Sequence, residues 1–281
     1  ITLDKTDIDI GSMPAREIWD FVNAEGNVYE SISAQVSWQR VTLNRGTFPT
    51  DGSLTSFSIS STLPFSDLNY YRANIIQKFY PPLNFGDVVF GFDGEIGYVD
   101  SYGDTKETPF FQNFYAGGPR SLRGFESNTL RPRSTDAPCY EFNYSEGTCP
   151  NLIDTDGDSI LDTPYYNPYA NTYSRYRDAP IGGNIKVEGS LQLIFRLPFI
   201  EDQRSMRSAF FFDFGNVFSD NCKEYQINCS KPSLEELRYS YGVGITWITG
   251  FGPMSFAIAQ PENAGPRERT EEFQFTVGNV F

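Results

Sequence analysis

Residues 185–197 read IKVEGSLQLIFRL. Taken alternately, the odd positions are Ile185, Val187, Gly189, Leu191, Leu193, Phe195 and Leu197. The even positions are Lys186, Glu188, Ser190, Gln192, Ile194 and Arg196. A period of two puts the two sets on opposite faces of a β-strand, one apolar and the other polar and charged. The pattern recurs along the chain. In 88–99, Val88, Phe90, Phe92, Ile96 and Tyr98 oppose Asp93 and Glu95. In 70–79, Tyr71, Ala73, Ile75 and Phe79 oppose Arg72, Asn74 and Lys78. In 53–63, Phe57, Ile59 and Leu63 oppose serines, and in 238–248 Tyr239, Tyr241, Val243, Ile245 and Trp247 oppose Arg238, Ser240, Gly242, Gly244 and Thr246.

Alternation of this kind also suits the half-solvated sheet of a soluble sandwich. Two features favour a transmembrane antiparallel β-barrel. The alternating segments run to about ten to thirteen residues, twice the usual soluble strand. Aromatics also gather near segment ends (Tyr70, Tyr71, Phe79, Tyr80, Phe273, Phe281), as interfacial girdles do. Ten strands are expected, at about 1–10, 30–43, 53–63, 69–80, 87–101, 184–197, 206–217, 238–249, 252–260 and 271–281. Connections such as NRGTFPTDG and TGFGP are short and rich in Gly or Pro, whereas 11–29, 102–183, 218–237 and 261–270 are long. Short turns on one side and long loops on the other are the habit of outer-membrane barrels. In the first long loop, SMPAREIWDFV reads either as a short surface helix carrying Ile18, Phe21 and Val22 or as a solvated loop with one helical turn.

Composition agrees. The 281 residues carry a formal charge of −14 and no histidine, a poor basis for binding nucleic acid, which calls for clustered Lys and Arg. No apolar run approaches the ~18–20 residues of a membrane helix. ITLDKTDIDI has neither the basic start nor the apolar core of a signal peptide, so a barrel chain would begin here inside a longer precursor. No nucleophile elbow, phosphate loop or histidine is present, so neither enzymatic chemistry nor an organic cofactor is expected. The four cysteines fall as close pairs, Cys139–Cys149 and Cys222–Cys229, in polar turn-rich segments. Two local disulfides in an oxidising compartment fit this better than zinc, which lacks a Cys-x-x-Cys here.

The longest loop opens on GGPRSLRGFESNTL (117–130), which sets Arg123 beside Gly124 and Phe125. An arginine on a loop is ordinarily an exposed cation. The preceding PFFQNFYAGG (109–118), however, is too aromatic for a solvated loop and needs a surface to pack on; the barrel interior is the one at hand. There Arg123 would meet inward carboxylates: Asp93, Glu95, Glu188 and Asp213. Asp213 lies in FFFDFGNVF, where outward Phe212 and Phe214 aim it inward. Gly124 would let backbone approach closely, and a guanidinium can grip a carboxylate through two bonds.

FYAGGPRSLRGF, FFFDFGNVF, GFGPMSFAIAQP and the terminal EEFQFTVGNVF, in that order, resemble the carboxyl-terminal barrel of the BamA family, central components of the Gram-negative outer-membrane protein assembly machinery. GTFPTDG (46–52) resembles one of its periplasmic turns. The resemblance implies a sixteen-stranded barrel behind periplasmic POTRA domains, of which this chain would supply the last ten strands, a bacterial outer-membrane location and no enzyme activity. It implies that Arg123 and Asp213 form a loop-to-barrel lock. The family's further glutamate is replaced by Gln192, for which Glu188 could substitute. It implies an insertase whose seam templates nascent β-barrel proteins by strand pairing, with accessory lipoproteins reached through the missing periplasmic domains. A two-partner-secretion type transport pore is the alternative, and a surface-exposed binding protein built from the long loops is another. In the last strand Phe273, Phe275, Val277 and Phe281 would face lipid, with Gln274, Thr276 and Gly278 inside; Gly278 also reads as a simple kink. Ten strands leave two edges, at 1–10 and 271–281. Because lipid does not tolerate unpaired backbone, the fragment should close as a small barrel or pair edges between copies.

Within the same loop, DTDGDSILD places Asp154, Asp156, Asp158 and Asp162 at calcium-ligand spacing, with Ile160 offering its carbonyl and Gly157 the turn. This resembles aspartate-rich Ca²⁺ loops, but Tyr165 stands where the bidentate Glu belongs. A solvated acidic loop is the other reading.

Overall fold

The computed structural model describes residues 2–8, 15–81, 88–135, 179–197, 200, 205–226, 228–250 and 252–278. Its frame is a ten-stranded antiparallel meander: β1 (Thr2–Asp7), β2 (Val28–Val41), β3 (Gly52–Thr62), β4 (Tyr70–Tyr80), β5 (Val89–Ser101), β7 (Ile185–Phe195), β8 (Met206–Phe218), β9 (Arg238–Thr249), β10 (Gly252–Glu262) and β12 (Phe273–Val277). Each of these strands pairs with its neighbours in that order. Two further short strands, β6 (Gly124–Phe125) and β11 (Thr270–Glu271), pair with each other off the main sheet.

Alternation in sequence becomes two faces in space. Leu191, Leu193, Phe210, Phe212, Ile258, Phe273 and Phe275 lie exposed on the outside, while Asp213, Ser240 and Gln274 are buried on the inside. Each outward Leu, Ile or Phe left in water forgoes about 1.5–3 kcal/mol of burial. A band of them from β2 to β12 would exceed the ~5–15 kcal/mol that holds a soluble domain together. The solvent of that face is therefore lipid. No described helix is long and apolar enough to cross a membrane; the crossing elements are strands.

Long connections gather at one end of the meander. There helix α1 (Arg16–Glu25) forms, starting after Ala15, which makes no side-chain cap. The helix is held by packing: buried Phe21 meets Tyr29 and Leu68, with Phe110 and Phe111 edge-on to its ring. Of the two readings of SMPAREIWDFV, the helix is the one formed.

Two expectations need correction. Tyr70 and Tyr80 do not gird the membrane face. Both sit at even positions of β4, the inward set; Tyr80 is buried and donates to Asp93 at 2.9 Å. Nor does the sheet close into a small barrel. β1 pairs only with β2 and β12 only with β10, leaving one edge of each unpartnered among the described residues. Residues 34–41 of β2 likewise extend past the register of β1, which ends at Thr2↔Ser33.

Candidate functional site

After β5 the chain turns back over the inner face. Phe114 bridges to Gly183 and lays its ring over Gly97, where a Cβ would come within 2.4 Å of it. The Arg72 guanidinium covers the same ring at 4.1 Å. Val99, Phe114, Ala116, Leu122, Phe125, Leu130 and Val217 then close into one buried cluster. The aromatic segment thus finds the surface its composition requires. The described part of this loop touches residues from β4 to β12 and so packs across the inner face of the sheet.

Leu122 and Phe125 anchor the loop in that cluster, and Arg123 points the other way, at the wall. Its Nε donates to Asp213 Oδ2 at 2.7 Å and its Nη2 to Asp213 Oδ1 at 2.7 Å, a two-pronged grip. The Arg123 backbone N–H adds a bond to Oδ2 at 3.2 Å. Asp213 is fully buried, while the arginine side chain keeps 17% exposure. Ser190, the register partner of Asp213 on β7, donates to Oδ1 at 2.6 Å and accepts from Arg123 Nη2 at 3.1 Å. Phe211 slides under the guanidinium at 3.5 Å, an attraction of ~0.5–2 kcal/mol. Gly244 leaves the space beside Nη1 open: a Cβ there would stand 3.5 Å away.

Gly124 then takes φ +88°, and a Cβ would stand 3.1 Å from Ala259 Cβ and 3.3 Å from Ser240 Cβ. Strain and crowding act together, so Gly124→Ala is expected to destabilise the seated loop by about 1–3 kcal/mol. The check is proteolysis of the loop in the membrane-embedded protein, which should become faster while strand content is unchanged.

The structure does not bring the other expected partners to Arg123. Glu188 accepts from Ser121 Oγ and pairs with Lys186 at 2.9 Å; Lys186 also holds Glu95 at 2.9 Å. Gln192 donates to Asp93 and Ser190 and accepts from Arg207 at 3.1 Å. The reason is geometric. Glu188 and Gln192 share the inward face of β7 with Ser190, but each lies about 6–7 Å along the strand from it. Ser190, directly opposite Asp213, takes the place.

A second ionic cluster was signalled in the sequence only by Arg238, on the polar face of its strand. Arg131, next along the loop, donates to Glu236 Oε2 at 2.8 Å and to Glu268 Oε1 at 3.4 Å. Arg238, at the start of β9, donates to Glu268 Oε2 at 2.6 Å and to Glu236 Oε2 at 3.0 Å. Glu268 is fully buried and also accepts from the Gly265 N–H. Arg131 and Glu268 sit on loops and Glu236 ends a single 3-10 turn (Leu234–Glu236), where no period marks a face.

At the long-loop end, Cys222 and Cys229 form a disulfide. The segment it closes reaches α1 and the long loop: Lys223 donates to Glu107 at 2.6 Å, Gln226 to Glu17 at 3.2 Å, and Tyr225 to Asp20. Burial, and then the Asp20 carboxylate, push the Tyr225 phenol well above its ordinary value, so it remains a donor. Cys139 and Cys149, the calcium candidates Asp154, Asp156, Asp158, Ile160 and Asp162, and the terminal Phe281 lie outside the described residues. On β12, Phe273 and Phe275 face outward, with Phe275 stacked on Phe256 at 4.8 Å, and Gln274 faces inward. Gly278 takes φ +111° at the end of the described part of the strand, and among the described residues nothing lies within 4 Å of its missing Cβ.

Comparison with known proteins agrees with this architecture. The Omp85 superfamily domain model matches residues 5–281. The outer membrane protein assembly factor BamA of Neisseria meningitidis serogroup B (strain ATCC BAA-335 / MC58) is 32% identical over 264 residues, 88% of this chain and 28% of that protein. The crystal structure of BamA from Haemophilus ducreyi lacking POTRA domains 1–3 superposes with a TM-score of 0.71 at 28% identity, covering 98% of this chain and 49% of the crystallised one. The chain thus spans well under two thirds of either relative.

Proposed function

The chain belongs to the Omp85 superfamily of outer-membrane β-barrels, and from that premise we propose that it is the carboxyl-terminal part of a barrel that assembles and inserts other β-barrel proteins into the Gram-negative outer membrane. Its partners are nascent barrel strands, the surrounding lipid and, through periplasmic domains elsewhere in the full-length protein, accessory lipoproteins. The observation that carries this reading is β12. Its register with β10 runs over Phe273–Val277, the shortest in the main sheet among the described residues, and the Gly278 N–H still donates to the Pro253 carbonyl at 3.0 Å. Its outer face is apolar and its other edge carries backbone groups that a client strand can pair with, as edge strands do elsewhere. The driving force is strand pairing in lipid, where an unmade backbone bond costs far more than in water. In the fragment by itself, the same edges would favour pairing between copies.

Arg123, seated on Asp213, holds the loop as a strut against which the wall is braced. The loop packs across the inner face from β4 to β12, which disfavours the alternative of an open transport pore. Full-length protein in vesicles of outer-membrane lipid is expected to speed the folding of an added unfolded barrel protein by at least tenfold over empty vesicles, while planar-bilayer conductance stays small and erratic. Steady, large conductance with no acceleration of folding would reverse the assignment.

A further inference from the structure

Gln274, on the inner face of β12, is buried to 2% exposure, and both ends of its amide are used. Its Oε1 accepts from the Gly124 N–H at 3.3 Å, and its Nε2 donates to the Phe125 carbonyl at 2.7 Å and to Glu271 Oε2 at 3.3 Å. The side chain therefore reads the backbone of the two residues that follow Arg123. Three more contacts run in parallel. Gly124 and Phe125 pair with Glu271 and Thr270, the residues just before β12. The Glu126 N–H donates to the Arg269 carbonyl at 3.0 Å. Phe211, under the Arg123 guanidinium, packs on Ala257 and Ala259 of β10, and Ala257 is the register partner of Gln274. The tripeptide that grips β8 on one side is thus fastened to the last strand on the other.

We propose that Gln274 is a positioning residue that couples β12 to the Arg123–Asp213 lock, so that the last strand leaves β10 readily only when the loop is unlocked. The physical argument is short. A glutamine amide moved away from Phe125 and Gly124 leaves a carbonyl and an N–H without partners inside a packed lumen, the expensive outcome for a buried polar group. With β12 in place, Gln274 fixes the height and tilt of the Gly124–Phe125 peptides, and through them the approach of Arg123 to Asp213. In the reverse direction, release of Arg123 lets these peptides drift and removes the acceptor and donor that hold Gln274. The inference rests on the reading of β12 as the seam strand, but the coupling itself can be measured without any client.

The experiment is hydrogen–deuterium exchange on the full-length protein in vesicles of outer-membrane lipid, comparing wild type, Gln274→Leu, Asp213→Asn and the double variant, each shown folded by heat-dependent gel mobility. Gln274→Leu keeps the volume and removes all three bonds, to Gly124, Phe125 and Glu271; exchange of the 273–277 amides is expected to rise about tenfold. Asp213→Asn, three strands away on β8 and bonded to Arg123, should also speed exchange at 273–277, several-fold, and the double variant should show far less than the product of the two effects. Gln274→Glu would set a buried carboxylate against the Phe125 carbonyl and the Glu271 carboxylate, so its rise should be no smaller than that of Gln274→Leu; Gln274→Met, unbranched and of similar volume, also removes the amide and carries the test if Gln274→Leu does not fold. Unchanged exchange at 273–277 in the folded variants, or effects that simply multiply, would overturn the coupling. A failed client-folding assay beside intact coupling would count against the insertase reading alone.

Discussion

Arg123→Ala is expected to cost more than Asp213→Ala, although both break the same pair. Removing one member of a buried ion pair typically costs about 3–5 kcal/mol, because the survivor is left desolvated and unpaired. Asp213 has no exposed surface, so without Arg123 its carboxylate keeps only Ser190 Oγ and one backbone N–H. Arg123 keeps 17% exposure and a bond to Ser190, so without Asp213 it can recruit water. We expect losses near the upper end of that range for Arg123→Ala and near the lower end for Asp213→Ala. The double variant should lose well under the sum, since each single change already strands the other group. Urea unfolding of the full-length protein in lipid vesicles measures all three. Equal, small shifts of under about 1 kcal/mol would mean that the pair is solvated in practice.

Glu268→Ala carries the second large effect. Two guanidiniums, Arg131 and Arg238, converge on this buried carboxylate, and Arg238 is only 2% exposed. Glu236 would remain as their shared partner, but it is about one-third exposed and cannot replace four bonds. A loss of about 3–4 kcal/mol is expected from the uncompensated charge, confined to the long-loop end. The check is local: exchange of the 263–271 amides and cleavage at 126–131 should accelerate strongly, while strand amides on β3–β5 stay protected. Glu268→Gln, which retains an acceptor for Arg238, should lose about half as much.

The strands were legible in the sequence because one face meets lipid and the other a packed, polar interior. That contrast writes a period of two over whole segments, and it also aimed Asp213 inward between Phe212 and Phe214. Arg123 was legible for a different reason: the aromatic run before it had to be buried, and only the lumen offered room. The identity of its third partner was not. Glu188, Ser190 and Gln192 all face inward on β7, and only the register with β8 shows that Ser190 stands opposite Asp213. Tyr80 shows the limit of reading aromatics by position, since an end-of-strand tyrosine suits a girdle or a lumen and the parity of its position on β4 decides between them. Of the Arg131, Glu236, Arg238 and Glu268 cluster only Arg238 was legible, inward by the parity of β9, because the other three lie outside the alternating strands, where no repeat marks which side chains converge.

Helix α1, the start of the long loop and the disulfide-closed segment are stitched to one another by Lys223, Tyr225 and Gln226. They present Asn23, Ala24, Asp104, Lys106, Asn221 and Glu224 together on the outside. To an antibody such a patch is a discontinuous epitope: no linear peptide from any one segment reproduces it, and a serum raised against denatured protein will pass it by.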